Sequence, residues 1–111
     1  MKIMLRGINE RDENGGFIVY LNDRRLDPGP SQNVFNHSPD GFAWGYGGSG
    51  PAQLALAVLL VECPSKKIAL ANYQSFKWDV IAKLPHGNFE QEIDLSPYLK
   101  AEGIDGAGNS R

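Results

Sequence analysis

Gly45-Tyr46-Gly47-Gly48-Ser49-Gly50-Pro51-Ala52-Gln53-Leu54-Ala55-Leu56-Ala57-Val58-Leu59-Leu60-Val61 is the stretch whose reading decides the fold. Its first third is glycine, tyrosine and serine, and the rest carries no charge. Proline at a first helical position lacks only an amide that would be unpaired anyway. The sequence therefore predicts a helix from Pro51, with Gly50 as its N-cap. Gln53 then falls at the third helical position, where its side chain is expected to reach back to the cap amide. The helix is apolar on nearly every side, so it is expected at the buried centre of the fold. Its longest apolar run, Leu54 to Val61, is about half of the ~20 residues a membrane span needs.

Downstream of this helix, Cys63-Pro64 is a stop and Ser65 a cap for a second helix over 66–83. Ala69, Tyr73, Phe76, Val80 and Leu84 recur at spacings of three and four, which marks one apolar stripe. Pro85-His86-Gly87-Asn88 ends it. Phe89-Glu90-Gln91-Glu92-Ile93-Asp94-Leu95 alternates and reads as a half-exposed strand. Ser96-Pro97 opens a short helix over 98–101, and 103–111 is a glycine-bearing tail.

Upstream, residues 2–9 read as a first strand and Phe17–Leu21 is a β-branched and aromatic run; with Asn14-Gly15-Gly16 between them they form a hairpin signature with a charged tip. Leu26 suggests a third short strand. Asp27-Pro28-Gly29-Pro30-Ser31 is expected to end regular structure, because two prolines lack the ladder donor. Residues 31–50 then read as a long loop with short strand potential at Phe42-Ala43-Trp44. Phe35, Phe42, Trp44 and Tyr46 argue that this loop is ordered. The order is β-β-loop-α-α-β-α: an α+β domain over 1–102, with an antiparallel sheet of about three strands packed on two helices, and a tail over 103–111.

Bulk composition narrows the function classes. The chain has 111 residues, a net charge of -2 and one cysteine. One cysteine excludes an internal disulfide framework. The N-terminus lacks the apolar core of a signal peptide, so the cytoplasm is the expected compartment. A sequence pI of 5.6 argues against general nucleic-acid binding, and the pairs Arg24-Arg25 and Lys66-Lys67 read as solvated surface. His37, His86 and Cys63 show no metal-ligand spacing, and no cofactor is expected.

Gly45-Tyr46-Gly47-Gly48-Ser49-Gly50 matches G-x-G-x-x-G and runs into a helix, whose first turn carries unpaired amides and partial positive charge. The dinucleotide fingerprint fails, since it needs a following strand and an acidic residue ~20 positions on, whereas here a second helix follows and no parallel βαβ unit can be drawn. A phosphate loop fails for want of Lys-Ser/Thr, and Pro51 breaks the G-x-S-x-G elbow. The plain alternative is that these glycines let the loop pack tightly. Asn36-His37-Ser38-Pro39-Asp40-Gly41 gathers polar side chains, and Ser-Pro-Asp-Gly is also a well-formed turn. His37, Asp40 and Ser49 are the residue types of a hydrolytic triad, without evidence of geometry. Trp78 falls about 200° off the apolar stripe, which marks it as an exposed ring suited to an interface.

The stretch from Asn36 to Ala57, with Asn36-His37-Ser38-Pro39-Asp40-Gly41-Phe42-Ala43-Trp44-Gly45-Tyr46-Gly47-Gly48-Ser49-Gly50-Pro51-Ala52-Gln53 at its heart, resembles a family of small proteins of unknown function found in bacteria, bacteriophages and other mobile elements. In outline the resemblance covers residues 5–95, including Tyr73-Gln74-Ser75-Phe76-Lys77 and Leu84-Pro85. It implies a setting in which small proteins often act by binding, including as inhibitors of host defence.

Three functions are expected from this reading. The first is a non-catalytic binding protein that sequesters an anionic, nucleotide-like ligand. Trp44, Tyr46, Gly47, Gly48, Ser49, Gly50 and His37 would form its site. The second is an interaction module that inhibits a host protein through Trp78, the hairpin tip or the tail; a homo-oligomer is a further expected partner state. The third is a small hydrolase using Ser49, His37 and Asp40.

Overall fold

A computed structural model describes residues 1–100. Period-two alternation sets the sheet. In β1 (Lys2–Arg11) the odd residues Ile3, Leu5 and Gly7 are buried, while Lys2, Met4, Arg6 and Ile8 point the other way. β1 pairs antiparallel with β2 (Phe17–Leu21) on one side and β4 (Phe89–Asp94) on the other. A two-residue β3 (Arg24–Arg25) completes the order β3-β2-β1-β4, so there are four strands rather than about three. Asn22 and Asp23, at φ 50° and 68°, make the tight turn into β3, a conformation their short polar side chains tolerate. Leu26 lies just past that strand, buried, its amide donating to the Val19 carbonyl at 2.9 Å.

Two corrections concern the segment between sheet and helices. Regular structure does not end at Asp27-Pro28-Gly29-Pro30-Ser31, because α1 (Gly29–Val34) begins there. Proline costs a helix nothing in its first turn, where amides have no partner. Phe42-Ala43-Trp44 forms no strand, although the Phe17 amide donates to the Phe42 carbonyl at 3.1 Å.

The central helix, α2, spans Ser49–Glu62 with Gly48 as N-cap, two residues earlier than the proline suggested. Gln53 is consequently the fifth helical residue and does not reach the cap. It is fully buried, and its amide is saturated by residues before the helix. Oε1 accepts from the His37 and Ser38 amides at 2.7 and 2.9 Å, while Nε2 donates to Ser31 Oγ and the Phe35 carbonyl at 2.9 and 3.1 Å. One side chain thus fixes the course of residues 31–38.

The second long helix, α3 (Lys66–Asp79), starts as expected, with Ser65 Oγ accepting from the Ile68 amide at 3.2 Å. It gives way to a 3₁₀ turn at Ile81–Lys83 instead of running unbroken to 83. The last described element is a 3₁₀ turn at Ser96–Tyr98. The expected tail, 103–111, and the end of the expected helix at Ala101 lie outside the described residues. α2 is buried from Gly50 to Leu59. One core joins it to Leu5 and Val19 of the sheet and to Ala69, Tyr73 and Phe76 of the α3 stripe. The helices cover one face of the sheet. Among the described residues no helix is long and apolar enough to cross a membrane.

Candidate functional site

Tight backbone contacts hold the glycine-rich segment in place. Gly45 sits at φ 84°, a backbone conformation that L side chains rarely adopt. Its amide donates to the Ile81 carbonyl at 3.0 Å, and its own carbonyl lies 3.0 Å from His86 Nε2. Gly50 presses on the preceding chain: a Cβ there would stand 2.7 Å from the Ala43 Cβ. Two exposed rings cover the middle of the loop. A Cβ on Gly47 would lie 2.2 Å from the Trp78 ring, and one on Gly48 would lie 2.3 Å from the Tyr46 ring. The packing reading of these glycines therefore accounts for much of the motif.

No side chain caps the start of α2. Beside it lies a hollow of about 310 Å³, lined by Ser49 and Gly50 from the helix, Tyr46, Ser38 and Asp40 from the loop, and Arg11 from β1. That volume is at the lower end for small-molecule sites. The far wall comes from the β1–β2 turn, which meets the loop backbone to backbone; a Cβ on Gly16 would stand 2.5 Å from the Asp40 carbonyl oxygen. Arg11 was not legible as a site residue. It lies beyond an irregularity in the β1–β2 register after Ile8. Its guanidinium stands 4.3 Å over the Phe17 ring and donates to the Gly15 carbonyl. Among the described residues it makes no ion pair, so its remaining donors stay available to a guest.

The residues expected here separate into two groups. Trp44, Tyr46, Ser49 and Gly50 line the hollow; Gly47, Gly48 and His37 do not. Trp44 is 7% exposed, its ring against Phe17 and Phe89, with Nε1 donating to the Gly87 carbonyl at 3.0 Å. Tyr46, at 53% exposure, is the ring free to stack. His37 lies elsewhere, stacked on Phe35 at 4.2 Å, with Nε2 2.7 Å from the Tyr73 hydroxyl. Burial, and then the charge of Lys77, hold its pKa below the usual histidine value. Its ring nitrogen is thus paired with Tyr73, and no hydrogen bond joins it to Ser49 or Asp40 among the described residues. Trp78 is 56% exposed, with the Lys77 ammonium 4.1 Å from its ring centre.

Other chemistry is sparse. Among the described residues no cluster of three or more His, Cys, Asp or Glu could hold a metal ion. Cys63 is half-buried, and burial, then Glu62, push its thiol pKa up, which lowers its fraction of reactive thiolate.

The pattern of a family of unknown function, DUF6166, matches residues 7–100, and the chain belongs to that family. No curated protein and no solved structure matches it.

Proposed function

We propose that this protein is a non-catalytic binder of a small anionic, nucleotide-like ligand, held between Arg11 and the start of α2. One observation carries the reading: a guanidinium with no ion-pair partner among the described residues, a serine hydroxyl and an uncapped helix start converge on one hollow. Helix amides and a fixed guanidinium both favour a phosphate or carboxylate. Asp40 on the same rim disfavours a bare polyanion and suits a guest with a hydroxyl or amino donor beside its anionic group. Tyr46 supplies a ring for a base or sugar. In the setting of a bacteriophage or mobile element, such binding would withdraw a host signalling nucleotide.

The test is thermal stability with AMP, ADP, cyclic dinucleotides and inorganic phosphate. Ligand at about 100 times its Kd adds about 2.7 kcal/mol, or roughly 10 °C for a domain of this size. Arg11→Gln should abolish the shift and Trp78→Ala should leave it intact. No shift with any of these compounds at millimolar concentration overturns the proposal.

Trp78 favours a second reading, an interaction module acting on a host protein. A solvent-facing indole braced by Lys77 over a glycine has the character of a binding anchor.

A further inference from the structure

Among the described residues the helices cover one face of the sheet and nothing covers the other. On the open face the register aligns Arg25, Tyr20, Arg6 and Glu90 in a single row across β3, β2, β1 and β4. Ile18 and Ile8 form the neighbouring pair on that face, and Met4, 38% exposed, sits beside Glu92. Ile8, Ile18 and Tyr20 are only half-buried. The row therefore has a basic end at Arg25, Tyr20 and Arg6 in its middle, and an acidic end at Glu90. Register also places Arg6 next to Glu90, yet no ion pair forms between them. Arg6 leans over the Tyr20 ring instead, 4.4 Å from its centre. Glu90 and Glu92 carry no cation within ion-pair distance among the described residues.

We propose that this face closes on a second copy of the same chain. The charge order selects the geometry. Turning a copy by 180° about an axis parallel to the strands, between β1 and β2, lays the row on itself in reverse. Arg25 then meets the partner's Glu90 at both ends, Arg6 meets the partner's Tyr20, and Ile8 meets the partner's Ile18. An axis across the strands would set Arg25 on the partner's Arg25, and like charges exclude it. Such a two-fold contact is isologous and closed. Facing sheets pack with their strands about 30° apart, which leaves these rows in reach of one another. Arg25 already holds Asp12 at 3.5 Å, but its side chain is 49% exposed and its fork can take a second carboxylate. With strands ~4.8 Å apart and ~3.3 Å per residue, the two faces bury on the order of 1,000 Å² together. That is near the lower bound for a specific interface, so the dimer is weak and concentration-dependent.

Sedimentation velocity of the full chain from about 5 to 500 μM reads this out. The wild type should pass from monomer to dimer within that range. Arg25→Glu and Glu90→Arg should each weaken the dimer about tenfold or more. Within one chain these residues stand about three strand spacings apart, roughly 14 Å, so they do not pair there. The double variant Arg25→Glu/Glu90→Arg should therefore restore the dimer to within about threefold of wild type. Circular dichroism of each variant reports folding, and the rescue excludes a folding artefact. Three results overturn the proposal: a monomer at every concentration, a dimer indifferent to both reversals, or a double variant no better than the singles.

Discussion

Replacing Gln53 by leucine removes the one polar side chain that organises the loop ahead of α2. Its amide makes four hydrogen bonds, two donated to Ser31 and Phe35 and two accepted from His37 and Ser38. Leucine has nearly the same volume, so the core stays filled and the change isolates polarity. A typical intramolecular hydrogen bond contributes about 1 kcal/mol net, which sums to about 4. Three of the four partners are only partly buried, whereas Ser31 is not. Water can re-satisfy some of them, which lowers the expected loss to about 2–3 kcal/mol. Urea unfolding of wild type and Gln53→Leu measures this as a lower midpoint at unchanged slope. Hydrogen exchange locates it, since the His37 and Ser38 amides should lose protection first. A variant within about 0.5 kcal/mol of wild type, or with those amides as protected as before, would falsify the account of Gln53 as the clamp of this loop.

Two further predictions follow from the same region. Gly50→Ala should destabilise by up to about 2 kcal/mol: overpacking costs about 1–3, and the gain in helix propensity returns about 1. The overpacking arises because the new methyl meets Ala43 at 2.7 Å. A stabilised variant in thermal melts would mean that this contact relaxes freely. For His37, burial and Lys77 favour the neutral imidazole in the folded state. A depressed folded pKa gives stability that is full above the unfolded value of about 6.5 and is lost as pH falls through the folded value. Thermal melts between pH 7.5 and 5 should thus fall more steeply for wild type than for His37→Gln; parallel profiles contradict the assignment.

The fold was legible wherever a local pattern had one physical solution. Alternation over Phe89–Leu95 could only be half-buried strand, and the run from Leu54 to Leu60 could only be central helix. Ser65 announced its own cap. Proline misled twice, once read as a breaker of regular structure at Pro28 and Pro30 and once read as the first helical residue at Pro51. It therefore hid α1 and placed the start of α2 two residues late.

The candidate site was half legible. Tyr46, Ser49 and Gly50 stand together because they are neighbours in sequence. Arg11 joins them only because the β1–β2 turn folds onto Gly41, a contact made by backbone atoms that leave no side-chain signature. The opposite holds for His37, a sequence neighbour of the loop that Gln53 and Tyr73 draw away from it.

The amino-acid order by itself determined the long strands, the two long helices and their buried faces, since these follow from periodicities of two and 3.6 residues acting over short range. Only tertiary structure decided which polar groups meet. It carried Arg11 to the helix start, gave His37 to Tyr73, and aligned Arg25, Arg6 and Glu90 in one row. The strength of those encounters depends on distances between segments far apart in the chain, and no local pattern encodes such a distance.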